Sequence, residues 1–424
     1  MPMSSAQTPS SHRIARSVGF WTIAIVLIAL CLYSRRPDAI RRPQFYAEDG
    51  TIFYQQAYQN GAVVSLFHPY NGYFHVMPRI AAAISLLFPF SSAPIFLALI
   101  ALAVQAAPAI FLLSDRMRNL GSLGLRCGLA ALYLAIPGIE EIHVTITGVQ
   151  WHLAVIAFLV VIAESPGSPA GQIFDIVLLT LAVTSGPFSI FLLLPALLVL
   201  AVRRDKWSVV RLSMCAGGVV LAFVGLLLTA HSRPQQPLGA SVAGFSRIVA
   251  GQVVLRLVQG HNRLDHLSPS PAVVTALSVV ITLLTLAVVL YGLRRGTLEL
   301  RALLLYGSLL LAAALAFPTA STTTYQWIPM QVPGAASRYW YIPDFALIAT
   351  LIWMLGAQRP ALIRVVATTL ICMTLYGMMK YWRFPAAADL HFPTYARQFE
   401  NLAPRERLQI PVNPPGWSMT LIKK

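Results

Sequence analysis

Long apolar runs broken by short polar stretches dominate this chain. The runs are continuous and do not alternate, so they read as helices. A bilayer-spanning helix needs roughly 20 mainly apolar residues to cross a hydrocarbon core about 30 Å thick. Backbone groups in that core must bond internally, which leaves helices or a closed barrel. The clearest candidates are residues 18–33, 94–113, 212–230, 272–293, 303–317, 342–355 and 362–379. Residues 123–137, 151–163, 173–183 and 188–202 are shorter runs of the same kind. Together they predict an all-α, polytopic transmembrane helix bundle of about eleven spans. The stretch 73–90 is also apolar, but making it a span would put most arginine clusters outside. It reads instead as a helix lying in the outer interface, with Arg79 at headgroup level. The segment 241–259 has the same character, with Arg247 and Arg256 among apolar residues.

Composition agrees with this pattern. Only 11% of the residues are charged, 57% are hydrophobic and the mean hydropathy is +0.68. A soluble domain carries roughly 25% charged residues. Lipid must therefore solvate much of this surface. The long outer segments 34–93, 231–271 and the tail are basic as well, which suits contact with anionic phosphate or a plain solvated surface, and no nucleic-acid partner is expected. The four cysteines are not spaced as a metal pair. No Asn-x-Ser/Thr sequon occurs, which fits a bacterial membrane. The start, with Arg13 and Arg16 before an apolar run, lacks a small-x-small cleavage site and reads as a retained first span.

Lys and Arg in short loops set orientation. Arg116, Arg118 and Arg126; Arg203, Arg204, Lys206 and Arg211; Arg294, Arg295 and Arg301; and Arg359 and Arg364 fall in one set of connections. The alternate set is nearly free of basic residues, Arg338 excepted. The first set and the N-terminus are thus expected in the cytoplasm of a bacterium, in its plasma (inner) membrane. An odd span count then puts the C-terminus outside. The organisation expected is a transmembrane module over residues 1–379, with a first outer loop at 34–93, and a short outer tail at 380–424.

Candidate chemistry gathers in the outer segments. Glu48-Asp49-Gly50 offers adjacent carboxylates just beyond a span; Asp49 suits a general base, a metal ligand, or simply the cap of a helix over residues 51–58. His68, Tyr70, Asn71 and His75 interleave aromatic and polar groups, as a sugar-sized cleft or a membrane-surface aromatic belt would. The second outer loop carries Glu140 and Glu141, then Gln150 and Trp151. Its carboxylates are functional candidates by their depth, or members of a solvated loop. Arg338, flanked by Tyr339, suits a lipid-borne phosphate or an interfacial anchor.

The order of these pieces resembles the GT-C superfamily of membrane glycosyltransferases, which includes oligosaccharyltransferase catalytic subunits, protein O-mannosyltransferases and lipid A aminoarabinose transferases. The matching plan is a first span at 18–33, the acidic pair Glu48-Asp49, an interfacial helix at 73–90, a second span at 94–113, a basic loop with Arg116 and Arg118, and a third span leading to Glu140-Glu141. The resemblance implies a polyprenyl-phosphate sugar as donor and transfer at the outer face, with inversion. It implies Asp49 as the catalytic position with Glu48 beside it, and Glu140 or Glu141 as the second-loop position. Arg338 is the first choice for the donor phosphate, with Arg79, Arg247, Arg256 and Arg263 behind it. His68, Tyr70, Asn71, His75 and Tyr339 would line the cleft. No cofactor is required by this plan, although paired carboxylates from two loops also suit Mg²⁺ or Mn²⁺. The chain departs from oligosaccharyltransferases in having no large outer domain, which leaves a saccharide, lipid or protein acceptor open. Three other readings compete. They are a lipid-linked saccharide polymerase, for which the four arginines of residues 231–271 speak; a transporter or flippase, which would show matching broken helices; and an assembly protein without activity.

Overall fold

The computed structural model describes residues 11–229, 236–260 and 264–424, with residues 11–17 and His266 in the main chain only. Arg263 lies outside the described residues, as do the side chains of Arg13 and Arg16. The fold is a helical bundle in which, among the described residues, seven segments are long and apolar enough to cross a membrane: Val18–Arg35, Phe90–Leu113, Lys206–Leu228, Val242–Gln259, Pro271–Arg295, Leu298–Ala316 and Ala361–Lys380.

The chain enters through α1 (Ser11–Arg35) and a short α2 (Asp38–Arg41). A π-helical turn, Asp49–Tyr54, continues into α3 (Gln55–Asn60), followed by α4 (Ala62–Leu66) and α5 (Val76–Ser85). Helix α5 has 10 residues, about 15 Å at 1.5 Å per residue, half the depth of a bilayer core. That length fits a helix lying at an interface. The bundle proper runs through α6 (Ala93–Leu113), α7 (Leu123–Ala135), α8 (Val149–Ile162), α9 (Pro169–Val183), α10 (Phe188–Arg203) and α11 (Lys206–Leu228). Next come α12 (Val242–Ile248) and α13 (Arg256–Gln259), joined by a π-helical stretch, Val249–Leu255, into one continuous rod. Its length qualifies as a span, where its arginines had suggested an interfacial segment. Helices α14 (Pro271–Arg295), α15 (Leu298–Ala316), α16 (Trp327–Met330), α17 (Tyr341–Met354) and α18 (Ala361–Lys380) complete the bundle. Helix α17 has only 14 residues and is buried along nearly its whole length, so it sits inside the bundle.

Helix α8 is the axis. All of its residues except Gln150 are buried, as expected of a helix that is apolar on every side. Its last carbonyls have no intrahelical donors, and side chains from three other elements supply them. Arg203 donates to Ile162 and Ala163, Arg211 to Ala163 and Glu164, and Asn119 to Ile162. Cations also favour a helix C-terminus electrostatically. Asp175, on α9, balances them: it takes both guanidinium nitrogens of Arg116 at 2.6 and 2.8 Å, Arg211 at 3.1 Å and the Trp207 indole at 2.7 Å. Arginines that look like a topology signal in the sequence therefore also tie four helices together.

The tail is a folded element. After α18, residues 381–391 run back along the end of α1, where the Phe384 N–H donates to the Arg35 carbonyl and Ala387 N–H to the Asp38 carboxylate. Helix α19 (Phe392–Glu400) and an antiparallel hairpin, β1 (Arg407–Val412) with β2 (Trp417–Ile422), then dock on the first loop. Phe392, Phe399, Ile410, Met419 and Leu421 share a core with Phe45, Phe53, Tyr54 and Phe90. Asn413 exchanges backbone hydrogen bonds with Phe45 and Ala47. The tail and the Asp49 loop consequently lie at the same end of the bundle.

Candidate functional site

Asp49 opens the π-helical turn but does not cap it, contrary to the simplest sequence expectation; its side chain reaches across to the loop between α7 and α8. There Oδ1 accepts from the Thr147 N–H at 2.8 Å and the Thr147 hydroxyl at 2.5 Å, and Oδ2 accepts from the Ile146 N–H at 3.0 Å. The carboxylate is 5% exposed. Burial pushes its ionisation up to about 6, against those three hydrogen bonds and with a further push from Glu48. Gly50 lets the turn seat closely against Phe45 and the tail hairpin: a Cβ there would stand 2.9 Å from Phe45 Cβ and 3.3 Å from Val412 Cγ2.

Asp49 lines a cavity of 40 Å³ with Arg36, Arg42, Tyr46 and Asn413. That is room for a few waters. Arg36 lies over the Tyr46 ring at 5.2 Å and donates to the Glu140 carbonyl, while its Nε has no hydrogen-bond partner. Asn413 and Ala387, both from the tail, close one side.

The α7–α8 loop is the hub that joins the outer segments. Its backbone is held by side chains from distant elements: Val144 N–H by Gln105, the Gly138 carbonyl by Arg256, and Ile146 and Thr147 by Asp49. A buried loop needs such partners because its peptide groups meet no water. Behind it, His143 accepts from Gln105 at 2.9 Å and donates to the Leu32 carbonyl at 3.1 Å. Burial, with Arg35 and Arg36 nearby, holds His143 well below the usual histidine range.

The remaining candidates fall into two groups. Beside the first loop, His75 packs on Phe53, Tyr70 and Tyr73 with ring centroids 5.3–5.9 Å apart. It donates through Nε2 to the Tyr70 carbonyl, while Nδ1 has no partner; burial pushes it down to about 4, so it is neutral at pH 7. Arg79 is fully buried, donates once to Gln56 and lies over Phe53, and its Nε and Nη2 have no partners. Asn71 and Gly72 both have positive φ between the mutually bonded Tyr70 and Tyr73. They form the tight turn that Asn-Gly favours, which accounts for Asn71 without a ligand. His68 is exposed and apart from this group, and Glu48 is half-buried.

The second group lies on the other side of the hub. Arg338 pairs with Glu141 through Nη1 and reaches Thr319 and the Tyr339 hydroxyl through Nη2. Trp151 stands edge-on to Tyr339 at 6.0 Å and to Phe188 at 4.8 Å. Gln150 donates only to the Thr147 carbonyl. Glu140 forms no ion pair among the described residues. Arg256 is buried against Asp344 and donates to the Gly138 and Gln252 carbonyls, so it works as a strap between α13, α17 and the hub. Of the described arginines considered for a phosphate, Arg338, Arg256 and Arg247 have carboxylate partners, and Arg79 does not.

Sequence reasoning missed Arg36, Thr147, Gln105 and Asp344. Arg36 directly follows a span, and Gln105 is the single polar side chain in its apolar run, so both carried a signal. Among the described residues, no three His, Cys, Asp or Glu side chains converge as a metal site. Comparison with family models, curated proteins and solved structures found no match to this chain.

Proposed function

We propose that this protein is a membrane-embedded glycosyltransferase that moves a sugar from a polyprenyl-phosphate donor to an acceptor at the outer face of a bacterial plasma membrane. The observation that carries this reading is Asp49: a buried carboxylate poised near neutrality, facing a polar cavity that also holds Arg36, Arg42 and Tyr46. A general base with an ionisation point near working pH is the effective kind. In the proposed step, Asp49 takes the acceptor's proton as its oxygen or nitrogen bonds to the anomeric carbon. The bond from that carbon to the phosphate oxygen breaks on the opposite face, and its electron pair leaves with the lipid phosphate. A single displacement inverts the anomeric centre. Negative charge grows on the leaving phosphate, where a fixed guanidinium stabilises the transition state more than the ground state. Arg338 would serve after exchanging Glu141 for phosphate; Arg79 would serve with its two free donors. The cavity is smaller than a sugar, so turnover in this scheme requires the tail segments at Ala387 and Asn413 to withdraw.

A second reading is favoured by one specific observation, the three hydrogen bonds that Asp49 accepts from the hub loop. In it Asp49 is a clasp between two loops and not a base. Sugar transfer from a polyprenyl-phosphate donor by wild type and Asp49→Asn separates the two. Loss of transfer with retained melting behaviour supports the base. Parallel loss of both supports the clasp.

A further inference from the structure

At the Asp49 end but sharing no lining residue with the Asp49 cavity, a groove of 510 Å³ opens between the turn after α5 and the docked tail. Its size falls within the roughly 300–1,000 Å³ of small-molecule sites. One wall is aromatic: the half-buried Tyr58 ring faces the groove, with Tyr54 and Phe399 packed behind it. Tyr54 and Tyr58, one helical turn apart, lie nearly parallel at 13° with centroids 6.3 Å apart, and Phe399 meets Tyr58 edge-on at 5.7 Å. Tyr54 is 2% exposed, yet its hydroxyl has no hydrogen-bond partner among the described residues. That hydroxyl opens on the groove, where a ligand lying along it can bond to it.

The other wall is cationic. Lys423 is fixed by donating to the Phe399 and Glu400 carbonyls at 3.2 and 2.9 Å, at the end of α19. Lys424 lies over the Tyr58 ring at 5.2 Å. Neither ammonium has a carboxylate partner among the described residues, and the one acid of the groove, Glu400, is turned to the Ser91 N–H. The groove thus joins the Tyr58 ring, a free hydroxyl beside it and two lysine ammoniums against the single carboxylate of Glu400.

We propose that this groove binds an anionic saccharide. A pyranose ring presents an apolar C–H face that matches the Tyr58 ring and hydroxyls that match the Tyr54 hydroxyl. An acidic substituent matches the lysines. A bare inorganic anion would leave the Tyr58 ring unused, and an acyl chain would leave the hydroxyl and both lysines unused. The site does not depend on the transfer reaction, because it is built from other residues.

The test uses the full chain in detergent micelles, with trigalacturonic acid as anionic probe and maltotriose as neutral probe, followed by calorimetry and saturation-transfer NMR. The expected result is saturable binding of trigalacturonic acid that weakens with salt and exceeds that of maltotriose. Tyr58→Ala should weaken it about tenfold, as loss of an aromatic platform does, and Lys424→Gln severalfold, with melting unchanged in both. Asp49→Asn should bind normally, which separates this inference from the catalytic reading. Absence of saturable binding, equal binding of maltotriose, or binding indifferent to both groove variants would overturn it. Preferential binding of dihexanoyl phosphatidylglycerol, lost in the same variants, would make the groove a lipid-headgroup site and overturn it too.

Discussion

Replacing Asp49 with asparagine should change stability in a way that reverses with pH. The folded carboxyl ionises at about 6 against 3.8 for the free group, mainly because it is buried. At about 1.36 kcal/mol per pH unit, the fold disfavours the ionised form by roughly 3 kcal/mol. The sign follows from linkage. Below 3.8 both states hold the proton and nothing is lost. Between 3.8 and 6 the unfolded chain has ionised while the folded one has not, so this group's contribution falls as pH rises and levels off above 6. His75, held down at about 4, acts in the opposite direction over much of the same window, because the unfolded chain takes up its proton first. The difference between wild type and variant cancels His75 and isolates Asp49. Asparagine can accept from Thr147 but turns an amide N–H toward the Ile146 N–H, which costs about 1–3 kcal/mol at every pH. The variant should therefore melt below wild type at pH 4 and match or exceed it at pH 7.5. Thermal unfolding in detergent across that range reads this directly. A gap that stays constant with pH would refute the claim that Asp49 is buried and poised near 6.

Other perturbations bear on the frame and the site. Asp175→Ala strands Arg211, which is almost wholly buried, and frees Arg116. It should cost about 3–5 kcal/mol and show as a large drop in melting temperature; a drop within error would mean the arginine clamp on α8 carries no stability. Gly50→Ala forces a methyl against Phe45 and Val412, so it should loosen the tail and speed proteolysis between residues 381 and 391, whereas unchanged cleavage would count against a tight seat. Arg338→Ala should lower kcat with the lipid donor more than it raises its KM, and unaltered kinetics with the donor removes it from the phosphate site. Arg79→Gln should do the same if the two free donors hold phosphate; a purely structural arginine would alter melting alone.

Much of the frame was readable from apolar runs. Segments such as 272–293 and 94–113 announce themselves because a bilayer demands length and low charge of any helix crossing it. The acidic pair was legible for the same reason, as charge beside a span is conspicuous. What could not be read is what each charge faces. Asp49 meets Thr147 across 98 residues of sequence, and Arg256 meets Asp344 across 88; only the packing brings them together. The tail read only as a short extension; Pro411, inside 407–412, masks the strand, because proline is unfavourable in a strand interior. It folds because Ile410, Val412, Met419 and Leu421 bury one face of the hairpin against the first loop. Arginines 203 and 211 were read as markers of sidedness, and their part in capping α8 is visible only once α8 is known to end beside them.

The most direct test of the central claim is a reconstituted transfer reaction with purified protein, a panel of polyprenyl-phosphate monosaccharides and a membrane extract as acceptor, with product anomers assigned by NMR. The account predicts transfer from at least one donor with inversion at the anomeric carbon, abolished in Asp49→Asn protein that melts normally at pH 7.5. Retained transfer by that variant, or a product of retained configuration, would contradict it.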